Sequence, residues 1–166
     1  MASVYLKVVS RQDATDLITA NLANKNFHAP WVKPFTDQAG FDQWLHRTIA
    51  GPNVGLVART VDHHDIVGVV NISEIVMGVF QSGYLGYYGT LRFAGQGLMG
   101  QALELAMRYG FEQIGLHRLE ANIQPENVVS IALVKKLGFT KEGVSPSYFK
   151  VDGVWRDHER WAVLKG

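Results

Sequence analysis

Glycine is concentrated in one short stretch of this 166-residue chain. Seven of its 17 glycines fall within the 23 residues from Gly78 to Gly100, a density about three times that of the whole chain. Glycine suits positions where the backbone takes a positive φ or closely approaches another group. Apolar residues at helical spacing begin at Leu98. The stretch therefore predicts a loop of bare backbone that leads into a helix.

The segments around this loop alternate between strand and helix patterns. Alternating apolar residues predict strands, and apolar residues three or four apart predict helices. The predicted strands are 4–9, 54–61, 66–76, 84–88, 116–123, one beginning at 139, 148–151 and 155–164, and the predicted helices are 12–24, 40–50, one after Gly97, and 125–137. This order predicts an α/β (α+β) fold with a mixed, mostly antiparallel sheet.

Composition excludes several classes of protein. Lys and Arg number 16 against 15 Asp and Glu, so a formal net charge of +1 gives no basic face for nucleic acid. The chain has no Cys, which excludes a thiol nucleophile and a thiolate-bound zinc, and His63-His64 lacks a third ligand, so we expect no metal. Neither a signal peptide nor a membrane span of roughly 18 apolar residues is found. We expect a single cytoplasmic domain, residues 1–166.

The glycine loop matches a dinucleotide-binding fingerprint, but the order of the predicted strands and helices does not fit the fold to which that fingerprint belongs. Gly95-Gln96-Gly97-Leu98-Met99-Gly100 has the spacing G-x-G-x-x-G. That fingerprint belongs to the first strand-to-helix turn of a βαβ series, whereas here four strands precede it. A helix N-terminus with small residues still offers free N–H groups to a phosphate. The alternative is a tight loop that only lets the helix pack closely.

Two segments resemble the GNAT family of N-acetyltransferases. The run from Arg92 to Gly97 fits that family's Q/R-x-x-G-x-G/A signature, and Asn127 to Ser130 followed by Lys136 to Phe139 is similar to its second cofactor segment. Further segments, densest from 66 to 158, are similar to ribosomal-protein alanine N-acetyltransferases of the RimJ/RimL type. The resemblance implies a three-layer fold of about seven strands with helices on both faces, and splayed central strands that hold acetyl-coenzyme A.

The same resemblance implies roles for particular residues. The pyrophosphate loop would comprise Arg92, Phe93, Ala94, Gly95, Gln96, Gly97, Leu98 and Met99. The backbone of Leu85, Gly86 and Tyr87 would hold the pantetheine arm and the thioester oxygen. Asn127 and Lys136 would contact the cofactor, and Ser130 would help to protonate the leaving thiolate. For Asn127 and Ser130 the alternative is a helix N-cap.

Other catalytic groups are less determined by the sequence. Tyr148 is a second candidate acid, and the alternative is an ordinary half-buried strand residue. Glu74 and Glu120 are candidate bases that could order water near the amine, and the alternative for each is a surface carboxylate. Some relatives carry a carboxylate before the last turn, where this chain has Tyr148-Phe149-Lys150, and Gln101 replaces a common Glu. Aromatic residues of the region 26–39 would line the acceptor side or pack in the core; they are Phe27, His28, Trp31 and Phe35.

The resemblance implies transfer of acetyl to an α-amino group of a protein or peptide, and the absence of Cys favours direct attack in a ternary complex over an acyl-enzyme. An α-amine with a pKa near 8 is about 10% neutral at pH 7, whereas a lysine near 10.4 is about 0.04% neutral, so an N-terminal acceptor needs less help from a base. The alternatives are a small amine, such as a polyamine, an antibiotic or an aminoacyl compound, and a non-catalytic acyl-coenzyme A sensor. Either a monomer or a homodimer is compatible with the sequence.

Overall fold

A computed structural model describes residues 3–166. Seven strands form one sheet in the order β1-β2-β3-β4-β5-β7-β6. The strands are β1 (Val4–Val8), β2 (Val54–Thr60), β3 (Ile66–Val76), β4 (Ser82–Gly89), β5 (Arg118–Ile123), β6 (Thr140–Val151) and β7 (Val154–Leu164). The helices are α1 (Ala14–Ala23), α2 (Lys25–His28), α3 (Gln38–Ala50), α4 (Leu98–Arg108) and α5 (Val128–Lys136). The predicted fold class and the seven strands that the resemblance implied are confirmed, and the segments predicted at 139 and at 148–151 form the single strand β6.

Helices cover both faces of the sheet, and each face has its own hydrophobic core. Strand side chains alternate between faces, so neighbouring residues of β2 serve different cores. Leu56 and Ala58 pack with α4 and α5 around Leu103, while Val57 packs with α1 and α3 around Phe41. The two cores fix the central strands from both sides.

The parallel pair β4 and β5 stays together over only a short length. All other neighbouring strands are antiparallel. Ser82–Tyr84 pairs with Arg118–Glu120, and beyond these three residue pairs the two strands separate. Within the described part of the chain, residues 85–89 therefore have a paired strand on the β3 side alone. The sheet opens into a gap between β4 and β5.

An irregularity in β3 lies beside the start of this gap. Ser73 pairs with Tyr84 and Val76 with Ser82, so two residues of β3 face one of β4. Such an extra residue is a β-bulge, which bends its strand and increases the local twist. Glu74, in the bulge, has a φ of 50°. The extra residue thus lies in β3, the neighbour of the strand that leaves β5.

Some predicted boundaries were wrong for local reasons. Residues 25–28 form a single helical turn between the predicted helices 12–24 and 40–50. Helix α5 begins at Val128 instead of Pro125, because Asn127 caps it, and Val128 itself is 68% exposed. Before α1, the Asp13 carboxylate accepts a bond from the Ser10 amide in a capping box. Among residues 3–166, no helix is both long and apolar enough to cross a membrane.

Candidate active site

A cavity of about 720 Å³ passes through the gap between β4 and β5. The glycine loop and α5 border it on one face of the sheet, and residues of α2 and the loop that follows border it on the other. Twelve of the residues expected to bind the cofactor line it: Leu85, Gly86, Tyr87, Phe93, Ala94, Gly95, Gly97, Leu98, Met99, Asn127, Ser130 and Lys136. Residues distant in sequence thus meet around one space.

The glycine loop presents the N-terminus of α4 to this cavity. Gly95 and Gly97 have φ values of 74° and 76°, a left-handed conformation that favours glycine. A Cβ at either position would meet no atom of residues 3–166 within 4 Å. Since Gln101 makes the first helical bond, to the Gly97 carbonyl, the amides of the first turn point outward. Together with the helix dipole they suit an anion.

Two residues of the expected loop lie away from the cavity. The Arg92 side chain is 69% exposed, and its guanidinium pairs with Asp65 at 3.2 Å and lies over the Phe93 ring. The Gln96 amide donates to the Arg92 carbonyl at 3.2 Å. Both side chains are exposed, so they border the loop from outside.

The open part of β4 has unpaired backbone toward β5 and open space on one face of the strand. A Cβ at Gly86 would meet no described atom within 4 Å. Across the gap, Asn122 of β5 has a buried Oδ1 that lacks a hydrogen-bond partner within residues 3–166. A buried, unpaired carbonyl is costly unless a ligand or water supplies a donor. The gap therefore fits a molecule that carries N–H groups.

Two hydroxyl groups meet in the cavity. Tyr87 Oη lies 2.5 Å from Ser130 Oγ, and burial raises the pKa of Tyr87 to about 12 although the bond to Ser130 opposes this rise. The Ser130 amide also donates to Asn127 Oδ1 at 3.3 Å, so the Asn127 side chain caps α5 while it lines the cavity. Both the capping and the site interpretations of this segment are compatible with the geometry. The neutral Tyr87–Ser130 pair can donate a proton.

A second cavity, of about 360 Å³, adjoins the first. The two share Leu85, Gly86, Asn122 and Phe149 as lining residues. Tyr148 borders the second cavity and not the first, so it is not brought beside Ser130. Tyr84 lies there as well, and burial, followed by the nearby Tyr148, raises the pKa of Tyr84.

The candidate bases Glu74 and Glu120 line neither cavity. The Glu74 amide donates to Asn53 Oδ1, which holds the β3 bulge. Glu120 Oε1 accepts from Arg118 Nε at 2.9 Å, and the same guanidinium binds Glu142. Both carboxylates nevertheless lie near enough to Tyr84 for their charges to raise its pKa. Both carboxylates therefore lie beside the second cavity without lining it, and Glu120 is already paired with a cation.

Helix α2 and the loop that follows it form the opposite wall of the large cavity, called the α2 wall below. Phe27, His28 and Trp31 line the large cavity, whereas Phe35 packs on Phe41 and Trp44 in a core. His28 Nε2 lies 2.8 Å from the Gly89 carbonyl, and burial lowers the pKa of His28.

Gln124, at the end of β5, holds the loop that follows α2. Its amide donates to the carbonyls of Pro30 and Trp31 at 3.2 and 3.4 Å. The wall is thus fixed by hydrogen bonds to β4 at one end and to β5 at the other.

His158 of β7 completes the wall next to Phe149. It is 2% exposed, and its ring stacks on the Phe149 ring with centroids 3.7 Å apart. His158 Nδ1 lies 2.9 Å from the Arg156 carbonyl, which can only accept, so Nδ1 carries the proton. Burial lowers the pKa of His158, and the bond to Arg156 opposes the shift. The ring is therefore neutral near pH 7.

Comparison with known proteins identifies the family of the chain. A family model described as an acetyltransferase (GNAT) domain matches residues 3–140. The chain belongs to the GNAT family. This GNAT chain is 35% identical to the [ribosomal protein uS5]-alanine N-acetyltransferase of Escherichia coli (strain K12), over 93% of its own length and 84% of that relative. It is an N-acetyltransferase, as the resemblance implied.

Two further similarities extend this result. The probable N-acetyltransferase YjcK of Bacillus subtilis (strain 168) is 35% identical over 63% of this GNAT chain, and the match spans 58% of YjcK. The solved structure of Mycobacterium smegmatis RimJ in complex with CoA-disulfide has a TM-score of 0.86 at 28% identity, covering 97% of this chain and 81% of that one. The expected GNAT fold is confirmed.

Sequence reasoning missed several residues of this GNAT site. The Tyr87 side chain, Asn122, Gln124 and His158 all line the cavity, yet the sequence argument assigned them no side-chain role. His158 lies within a segment similar to the RimJ/RimL type, which was the available signal. The alternation of β5, in which Ala121 and Ile123 are buried and Asn122 lies between them, was a second signal.

Proposed function

We propose that this GNAT enzyme transfers acetyl from acetyl-coenzyme A to the α-amino group of a protein or peptide, of the ribosomal-protein N-terminal alanine type. The observation that carries the proposal is the cavity through the sheet, which joins the glycine loop on one face to the α2 wall on the other. The relative that matches 93% of this chain acts on the alanine of a ribosomal protein.

Acetyl-coenzyme A supplies the acetyl group as a thioester. The amides around Gly95 and Gly97 would bind its pyrophosphate, and Lys136 would add a positive charge at the same cavity. The backbone of Leu85, Gly86 and Tyr87 would bind the pantetheine arm and the thioester oxygen as a strand binds its neighbour. The unpaired Asn122 carbonyl and the open space at Gly86 support this fit.

The transfer proceeds by direct attack in a ternary complex. The chain has no Cys to carry an acyl group, so the amine nitrogen attacks the thioester carbon itself. Ser130 and Tyr87 would protonate the departing thiolate, because they form a neutral hydroxyl pair inside the cavity. Glu74 and Glu120 would attract the ammonium form of the acceptor toward the second cavity, from which Tyr148 would contact it.

The proposal extends to the context of the enzyme. An acceptor of the ribosomal-protein class implies a cytoplasmic location. Residues 1–166 would act as one domain, since β1 and β7 belong to the same sheet. A monomer or a homodimer would suffice, because every residue assigned here lies in one chain.

A thiol-release assay tests the proposal. The purified protein is mixed with acetyl-coenzyme A and an N-terminal alanine peptide, the same peptide blocked at its amine, spermidine or an aminoacyl compound. We expect thiol release with the free peptide and none with the blocked one. Release with spermidine or the aminoacyl compound alone would refute the acceptor, and tight cofactor binding by calorimetry without release would indicate a sensor.

A further inference from the structure

His158 combines three features around one imidazole ring. It borders the large cavity, its Nδ1 proton is held by the Arg156 carbonyl, and its ring is fixed against Phe149. A neutral imidazole that carries its proton on Nδ1 has a lone pair on Nε2. The ring is thus a proton acceptor held in one tautomer and one orientation.

The lone-pair nitrogen faces accessible space. In the described part of the chain Nε2 of His158 has no hydrogen-bond partner, unlike Nδ1. The fully buried side-chain atoms without a partner are His28 Nδ1, Asn122 Oδ1 and Arg156 Nε. Since His158 Nε2 is not one of these, it retains accessible surface although the residue is 2% exposed.

The surroundings of His158 favour a neutral ring. Asp157, the next residue on β7, is the charge that acts on the imidazole. From β6, the Tyr148 ring centroid lies 6.4 Å away and Phe149 is apolar. Glu126 and Lys136 border the same cavity. Burial outweighs the effect of Asp157 and keeps the pKa of His158 below its usual value.

We propose that His158 Nε2 accepts the proton of the acceptor amine during acetyl transfer. This role rests on the proposed function. The amine nitrogen bonds to the thioester carbon, the carbon–sulfur bond breaks, and Nε2 takes the proton that the nitrogen loses. The thiolate takes a proton from the Tyr87–Ser130 pair, and solvent then restores both groups. The products are an amide and a thiol, with no oxidant or metal required.

The kinetic test compares His158→Gln with His46→Gln, which changes an exposed histidine of α3 that borders neither cavity. General bases contribute about 100-fold or more, so we expect kcat of His158→Gln to fall about 100-fold with both substrates saturating. We expect the Kd of acetyl-coenzyme A to change less than about threefold, and His46→Gln to match wild type. The acidic limb of the kcat–pH profile should disappear in His158→Gln alone.

A second measurement uses the wild-type protein without substrate, and a third uses rescue of a variant by imidazole. In ¹⁵N-labelled wild-type protein near neutral pH, the ring nitrogens of His158 should show a protonated Nδ1 and an unprotonated Nε2. Imidazole added to His158→Ala should restore part of the turnover. A ring protonated on Nε2, or a His158→Gln variant within about twofold of wild type, would overturn the role.

The two proposals fail in different ways. A wild-type protein that binds acetyl-coenzyme A but acetylates no amine refutes the proposed function, and the role of His158 with it. An active wild type together with an active His158→Gln variant refutes the role of His158 alone. An equal fall in kcat and in cofactor affinity would assign His158 to packing, which also overturns the role.

Discussion

At the scale of single residues, two glycines near the gap between β4 and β5 differ in what a side chain would meet at their positions. A Cβ at Gly83 would lie 3.0 Å from Ile72 in the core, so close packing excludes a side chain there. A Cβ at Gly86 would point into open space. The first glycine therefore serves the fold, whereas the second leaves open space at the wall of the cavity.

Gly86→Ala should separate ligand binding from stability. The added methyl meets no described atom within 4 Å, and Gly86 has no positive φ, so we expect the free energy of unfolding to change by less than about 1 kcal/mol. Acetyl-coenzyme A should bind at least about tenfold more weakly in calorimetry, a loss of about 1.4 kcal/mol. Gly83→Ala should show the reverse pattern, and unchanged affinity in Gly86→Ala would place the ligand elsewhere.

Tyr87→Phe removes the hydroxyl that lies 2.5 Å from Ser130 and leaves the ring in place. We expect kcat to fall by about 10- to 100-fold because the thiolate loses part of its proton donor, with little change in cofactor affinity. Ser130→Ala should act in the same direction. Tyr5→Phe, at an exposed hydroxyl bound to His64, is the matched control. Equal losses of kcat and affinity in Tyr87→Phe would contradict a role in proton donation.

At the scale of elements, the α2 wall is defined by the polar groups that attach it. Asn24 Oδ1 accepts from the Leu91 amide, His28 bonds to Gly89, and Gln124 donates to two carbonyls of the following loop. These buried side chains join α2 and the following loop to the ends of β4 and β5. A substitution can therefore weaken this attachment without altering the glycine loop.

Gln124→Leu should affect the acceptor and not the cofactor. It removes both bonds to the loop and should lower the free energy of unfolding by about 1–2 kcal/mol. In steady-state assays we expect KM for an N-terminal peptide to rise several-fold while the Kd of acetyl-coenzyme A stays within about twofold. Gln113→Leu, at an exposed glutamine, should leave both constants unchanged. A larger effect on cofactor binding than on acceptor KM would contradict this assignment.

At the scale of the whole molecule, two buried imidazoles couple folding to pH. Burial lowers the pKa of both His28 and His158 in the folded protein. As the pH falls below about 6.5, the unfolded chain binds protons at these imidazoles that the folded chain does not bind, so the free energy of unfolding decreases. Their contribution is complete above the unfolded pKa and is lost on acidification through the folded pKa.

Urea denaturation between about pH 7.5 and pH 5.5 measures this coupling. Each imidazole can add up to about 1.4 kcal/mol per pH unit to the slope of stability against pH. The double variant His28→Gln/His158→Gln should show a shallower slope over this interval. An identical slope in wild type and double variant would mean that neither imidazole is kept neutral by folding.

The order of strands and helices could be predicted from the sequence because the spacing of apolar residues is a local signal. The glycine loop could be placed because glycine is the residue that most readily adopts a positive φ. The sequence could not place Arg92 outside the cavity or Arg118 in a pair with Glu142, since both depend on partners from distant segments. The role of Asn122 depends on where β4 leaves β5. That point is set by tertiary packing and has no signature in either strand.

The strand order also constrains the sequence of events as the chain is made. β6 is synthesised before β7, yet β6 pairs only with β7 among the described strands, and β7 lies between it and β5. β6 therefore stays unpaired until β7 has been synthesised and has inserted between β5 and β6. Because His158 arrives on that same strand, a nascent chain would hold its glycine loop well before it could close the wall opposite.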